Sequence, residues 1–188
     1  MLYDLLLATR TIRHFKRDHA PKREDLIRMV ECARLVPSAA NRQRIRYAFL
    51  LGEAADRAFA SVAFAGYLHP EKRPTYEKRA PAYLILMSDL ETPDVHVSMD
   101  IGIAAQAAVM AAREMGYGAC MIRSFKPKEI AALIGDTPGL YPNLVIALGT
   151  DDEVARVIDM KDGDIKYFKD ECDANVVPKR TLSELIVN

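Results

Sequence analysis

The chain has no surplus of charge. Its 26 Lys and Arg residues against 26 Asp and Glu leave a formal net charge of zero over 188 residues. A general binder of nucleic acid or of membrane surfaces needs a basic excess, so neither class is expected. Cysteine is scarce: Cys32, Cys120 and Cys172 are odd in number, far apart and form no Cys-x-x-Cys pair, which reads as a reducing compartment. Long apolar runs are missing as well. The opening MLYDLLLATR has only a short apolar run with Asp4 before it, wrongly built for a signal peptide. The most apolar long stretch, Ile101 to Ala112, is bounded by Asp100 and Arg113 and falls well short of a membrane span. A soluble cytoplasmic protein is expected.

The common catalytic signatures are absent too. There is no Gly-x-Ser-x-Gly elbow and no glycine-rich phosphate loop ending in Lys-Ser or Lys-Thr. The GYG at 116–118 ends a helical pattern instead of opening one after a strand, so it is no dinucleotide fingerprint. His14, His19, His69 and His96 have no metal-ligand spacing, and no metal site is expected. A chain without its own acid–base constellation can still be an enzyme when a cofactor carries the chemistry.

What the sequence does contain is a regular mixture of helices and strands. Leu2 to Ala8 can form a short helix. Pro21 opens a second, on which Leu26, Val30 and Ala33 share one face, and which stops near Leu35 because Pro37 disfavours helix before it. Residues 46–53 read as a strand buried on both faces at Ala48 to Leu51, and Ala54 to Ala65 as helix. Residues 66–81 form an irregular excursion rich in proline and charge. A second buried strand covers 82–89. Val95 to Met115 is the longest helix, apolar nearly all round and so expected to be central. Strands at 119–125 and 143–150 flank a short helix from Pro127 to Ile134. A polar tail follows, then a last helix opened by the capping-box pair Thr181 and Glu184. No repeat or linker interrupts residues 1–188, so the expectation is one α+β domain around a central sheet.

Two basic clusters sit at opposite ends of the chain: Arg10, Thr11 and Arg13, and Lys179 with Arg180. An anion between them would meet guanidinium forks, a hydroxyl and an ammonium, although each cluster alone is equally a solvated surface patch. Residues 37–43, PSAANRQ, supply more hydrogen-bonding groups than a helix-to-strand turn requires. Arg42, Arg44 and Arg46 alternate just after them, either as a solvated strand edge or facing an acidic group, for which the chain's own residues 151–153 are one candidate.

Taken in order, RTIRHF (10–15), PSAANRQ, the Ala-rich helix after Asp100, GYGAC (116–120) and VPKR (177–180) resemble the FMN-dependent nitroreductase family, in particular its small, compact members, over nearly the whole chain. The resemblance implies a central mixed or antiparallel sheet flanked by helices, with a long buried helix, in an intertwined homodimer with FMN at the interface. It implies that Arg10, Thr11 and Arg13 lie along the phosphate, ribityl chain and pyrimidine edge, with Arg13 on the N1/O2 side. Pro37, Ser38, Ala39, Asn41 and Gln43 would line the ring from the partner chain. The backbone of Gly118, Ala119, Cys120 and Met121 would pack on the isoalloxazine, and Lys179 and Arg180 would complete the phosphate site. No side chain is implied as an obligate catalyst. NAD(P)H would reduce the flavin, which in ping-pong fashion would reduce a nitroaromatic, quinone or related acceptor. A flavin-storage protein and a dehalogenase-type relative stay open. Two departures stand out: Thr9 occupies a position where the family often has Arg, and Arg44–Ile45 follow Gln43 where it commonly has Pro-Trp. Cys120 reads first as a small buried hydrophobe, with a redox role beside the flavin as the sharper alternative.

Overall fold

The computed structural model describes residues 1–64, 66–67 and 69–187. Helix α1 spans Leu2–Ala8 and ends where Thr9 Oγ1 donates back to the Leu5 carbonyl at 2.6 Å. A two-residue strand, β1 (Phe15–Lys16), follows the Arg10–His14 segment. Helix α2 covers Arg23–Ala33 and ends before Pro37. Strand β2 (Arg46–Leu51) leads directly into α3 (Gly52–Ala58), and β3 is Ala82–Ser88. Helix α4 runs Val95–Glu114, capped by the Asp94 carboxylate accepting from the Val97 N–H. Then come β4 (Gly118–Ile122), α5 (Pro127–Ile134) and β5 (Tyr141–Asp151).

The main sheet is antiparallel throughout. β2 pairs with β3, β3 with β5, and the other edge of β5 is shared by β4 and then β1. Every residue of β3 is buried, which is why its sequence shows no polar alternation. Leu84 and Leu86 face α2 and α4, while Tyr83, Ile85 and Met87 face α3, α5, Ile12 and Phe15. Ala104, Ala105, Ala108 and Ala112 let α4 lie close on the first of these faces.

Five expectations change. Pro21 lies outside α2, which starts at Arg23 with Lys22 as its N-cap in extended backbone. β2 is an edge strand, and only Leu50 in it is fully buried, so the apolar run there signals partial cover and not two packed faces. The helix expected over Ala54–Ala65 stops at Ala58, because the chain passes through a turn at Phe59–Ser61 and is drawn out beside Phe125, with the Ala63 N–H on the Ser124 carbonyl at 2.8 Å; Ala65 lies outside the described residues. The strand expected over 119–125 is Gly118–Ile122. The polar tail is ordered: β6 (Ala155–Asp159), β7 (Phe168–Lys169) and β8 (Asn175–Lys179) form a second sheet in the order β6-β8-β7, with β6 and β8 parallel. Its strands are short and mostly half-buried, so no clean apolar period marks them. The last helix, α6 (Leu182–Leu185), begins as expected, with the Thr181 N–H on Glu184 Oε2 at 2.8 Å.

α4 is, among the described residues, a helix long and apolar enough in composition to cross a membrane, yet half of it is buried inside the protein, against α2 and the sheet. Its other face carries Val95, Met99 and Ile103, which are 61%, 60% and 43% exposed and four positions apart, so they form one apolar stripe.

Candidate functional site

The Arg10–His14 segment is stitched to β4. The Ile12 N–H donates to the Ala119 carbonyl at 2.9 Å, and Thr11 pairs in parallel with Ala119. Ile12 and Phe15 are buried anchors and hold the basic residues between them at the surface of the sheet. Arg13 lines a cleft of about 120 Å³ with Ala63, Phe64, Cys120, Met121 and Arg123. Its guanidinium also lies over the Tyr167 ring, 5.0 Å from the centroid, a cation–π contact. Tyr167 in turn lines a groove with Lys179 and Arg180. Tyr167 thus links Arg13 of the N-terminal basic cluster to a groove that carries the C-terminal one, some 170 residues away in sequence.

Arg10 carries a sharper signal. Its Nη2 donates to the Leu6 carbonyl at 2.8 Å, but its Nε is buried without a partner. Burial pushes its pKa down, as expected for a charged donor whose hydration is lost and not replaced. The site is short of one acceptor, and an anionic oxygen would supply it.

Gly118 permits the close approach of β4 to the N-terminal segment. A Cβ there would overlap Asp151 Oδ1 and stand 2.9 Å from Ile12 Cβ. Cys120 is buried, and burial pushes its thiol up to about 11. Below that pH the reactive thiolate is a minor species, so the bland reading of Cys120 stands. We expect a disulfide-exchange reagent at pH 8 to modify exposed Cys172 quickly in native protein and to leave Cys120 intact, as read by peptide mass mapping; modification of both at similar rates would contradict this.

The Pro37–Gln43 segment is built differently. Asp100, 4% exposed, accepts from the Ala39 N–H at 2.9 Å, and Ser38 Oγ accepts from the Gln43 N–H at 3.2 Å. Between these ties Ala40, Asn41 and Gln43 all take left-handed backbone, with φ of 50°, 52° and 49°. That conformation costs an L-residue roughly 1 kcal/mol and is held because the two bonds fix the turn. Pro37, Ser38 and Gln43 line a cleft of about 130 Å³ with Tyr47, Asp100 and Arg34.

Within one chain the expected site residues therefore form two groups. Arg10, Thr11 and Arg13 run beside Gly118–Met121 of β4, which follows the C-terminal end of α4, and Lys179 and Arg180 join this group through the Tyr167 groove. Pro37–Gln43 gather on Asp100, near its start. The fifteen positions from Asp100 to Met115 span about 22 Å at 1.5 Å per residue. Both clefts are well below the roughly 300 Å³ at which small-molecule sites begin.

Arg44 answers the question of the alternating arginines. It donates to Asp89 at 2.8 Å and lies 3.8 Å from Asp94, while Arg46 donates to the Gln43 and Ile45 carbonyls. Residues 151–153 are engaged by Arg113, Lys78 and Lys169, so Arg44 and Arg46 pair elsewhere and not with that acidic tail. Phe64, Arg123, Tyr167 and Glu153 do not stand out in the sequence; a scattered aromatic or charge acquires meaning only when the fold gathers it.

The family model described as Nitroreductase family matches residues 6–150. No curated protein matches the chain in sequence. Among solved structures, a nitroreductase family protein from Streptococcus pneumoniae TIGR4 is similar at 16% identity with a TM-score of 0.69, covering 100% of both chains. One from Clostridium novyi NT is 19% identical with a TM-score of 0.64, covering 98% of each chain. The FMN-dependent nitroreductase NfnB from Mycobacterium smegmatis, in complex with NADPH, is 18% identical with a TM-score of 0.64, covering 80% of this chain and 87% of that one. At these identities the structural likeness is one of fold.

Proposed function

The chain belongs to the nitroreductase family, and on that premise we propose that it is a soluble, cytoplasmic FMN-dependent oxidoreductase working as a homodimer. The observation that carries the reading is Tyr167, whose ring takes the Arg13 guanidinium and which lines a groove with Lys179 and Arg180, together with the orphaned Nε of Arg10. The donor set fits FMN. A phosphate with nearly two negative charges suits several guanidinium and ammonium donors, and Arg10 Nε would gain the acceptor it lacks.

Arg13 would hold the pyrimidine edge, where a fixed cation favours the reduced, anionic form. The small residues Gly118 and Ala119 admit a flat ring close to backbone. Pro37, Ser38, Ala39, Asn41 and Gln43 would meet the same ring from a second copy, which accounts for two half-clefts too small to act alone. Bound FMN would supply the redox chemistry, taking hydride from NAD(P)H and returning electrons to a nitroaromatic, quinone or similar acceptor. The residues bind, orient and shield, and none is assigned the part of an obligate acid.

Purified protein is expected to be yellow or to become so with added FMN, to consume NAD(P)H when an acceptor is present, and to give parallel double-reciprocal plots. A colourless protein that neither binds FMN nor oxidises NAD(P)H overturns the proposal. Flavin bands without turnover across acceptors would mark a storage protein instead.

A further inference from the structure

Four donors meet on the carboxylate of Glu153, a residue to which the proposed function gives no role. Its Oε1 accepts the backbone N–H of Arg13 and, at 3.2 Å, that of His14. Its Oε2 accepts from Lys169 Nζ at 3.1 Å and from Asn175 Nδ2 at 2.7 Å. The Glu153 and Lys169 side chains are 2% and 5% exposed, so this ion pair is shielded from solvent, unlike the surface pairs elsewhere on the molecule. One oxygen serves the N-terminal basic segment and the other serves β7 and β8, the sheet whose last residue is Lys179.

We propose that Glu153 is a positioning residue for the flavin site: it fixes the backbone at Arg13 relative to the C-terminal sheet, and thereby fixes where the Arg13 guanidinium meets the cofactor. Glu153 does not line the cleft, so it acts on the cofactor through Arg13 and not by contact. The chemistry is specific to a carboxylate. Glutamine offers one acceptor oxygen for four donors and brings two donors of its own, leaving buried Lys169 with only the longer, exposed ion pair to Asp173 at 3.5 Å. The segment carrying Arg13 then loses either its tie or its register.

The inference rests on the FMN reading, and a double-mutant cycle separates the two. FMN dissociation constants are measured by flavin fluorescence for the wild type, Glu153→Gln, Arg13→Met and the double variant, with thermal midpoints in parallel. Glu153→Gln is expected to weaken FMN binding about tenfold beside native Arg13 and less than about twofold beside Met at position 13, a coupling of the size contacting groups give. Equal factors in both backgrounds, or unchanged affinity in Glu153→Gln, overturn the positioning role while leaving the cofactor assignment intact. A wild-type protein that binds no FMN defeats the functional reading itself. Should Glu153→Gln fail to fold, Glu153→Asp keeps the charge for Lys169 and withdraws the oxygens by one methylene. The same cycle then applies: a larger loss of affinity beside Arg13 than beside Met supports the positioning role, and equal losses overturn it.

Discussion

Ile103→Asp is expected to elute as a monomer and to retain no flavin. Ile103 is 43% exposed in one chain and lies in line with Met99 and Val95 on the free face of α4. If the site is completed by a second copy, that stripe is the apolar surface available for the copies to share. A carboxylate placed in it would lose its water without gaining a partner, at several kcal/mol. About 4 kcal/mol is a thousandfold in dissociation constant, enough to dissociate the dimer at micromolar concentrations. Sedimentation velocity and visible absorption, read on the same sample, check both halves of the expectation. Ile103→Leu should preserve both properties. An Ile103→Asp protein that remains dimeric and yellow would exclude this face as the shared surface.

Gly118→Ala is the second large effect, and it arises within one chain. The added methyl would overlap Asp151 Oδ1 and press on Ile12. Neither neighbour can yield freely. Ile12 is 2% exposed, and Asp151 is held by Arg113 at 2.9 Å. Burial already pushes the Asp151 carboxyl up, with Arg113 opposing that shift, so displacing it from the guanidinium exposes an uncompensated desolvation cost. Overpacking of this kind costs about 2–3 kcal/mol, which for a chain of this size lowers the melting midpoint by roughly 5–10 °C. Because the same backbone contact seats Thr11 on Ala119, FMN affinity should fall along with stability. Calorimetry and flavin titration test the pair of effects, and an unchanged midpoint would mean that β4 and the N-terminal segment separate more easily than their packing implies.

Much of this architecture is readable from sequence, for physical reasons that differ by element. β3 betrays itself because both faces are buried and all seven of its residues, Ala82 to Ser88, are covered. α4 and its glycine stop are legible from composition alone, as is the capping pair Thr181 and Glu184 at α6. The second sheet is not, since Arg156 and Asp159 flank Val157 and Ile158 without alternating, in a strand that is only half covered and depends on its partners for definition. The site divides in the same way. Arg10, Arg13, Lys179 and Arg180 carry charge and motif spacing that sequence can display. Glu153 and Tyr167 matter only through residues that folding brings to them, and no local pattern encodes such a meeting. Arg44 is legible as an anomaly, but its partner Asp89 becomes evident only once β2 and β3 have paired.

The length of α4 has a mechanical consequence. Its first half holds the Pro37–Gln43 turn through Asp100, and its end leads into β4, whose Cys120 and Met121 line the Arg13 cleft. In the proposed homodimer those two ends would serve different cofactors, one in each site. The helix would then act as a rigid strut setting the spacing between the two redox centres. A displacement along its axis would open one site's wall as it shifts the other site's floor, so the two flavins would share a single structural member.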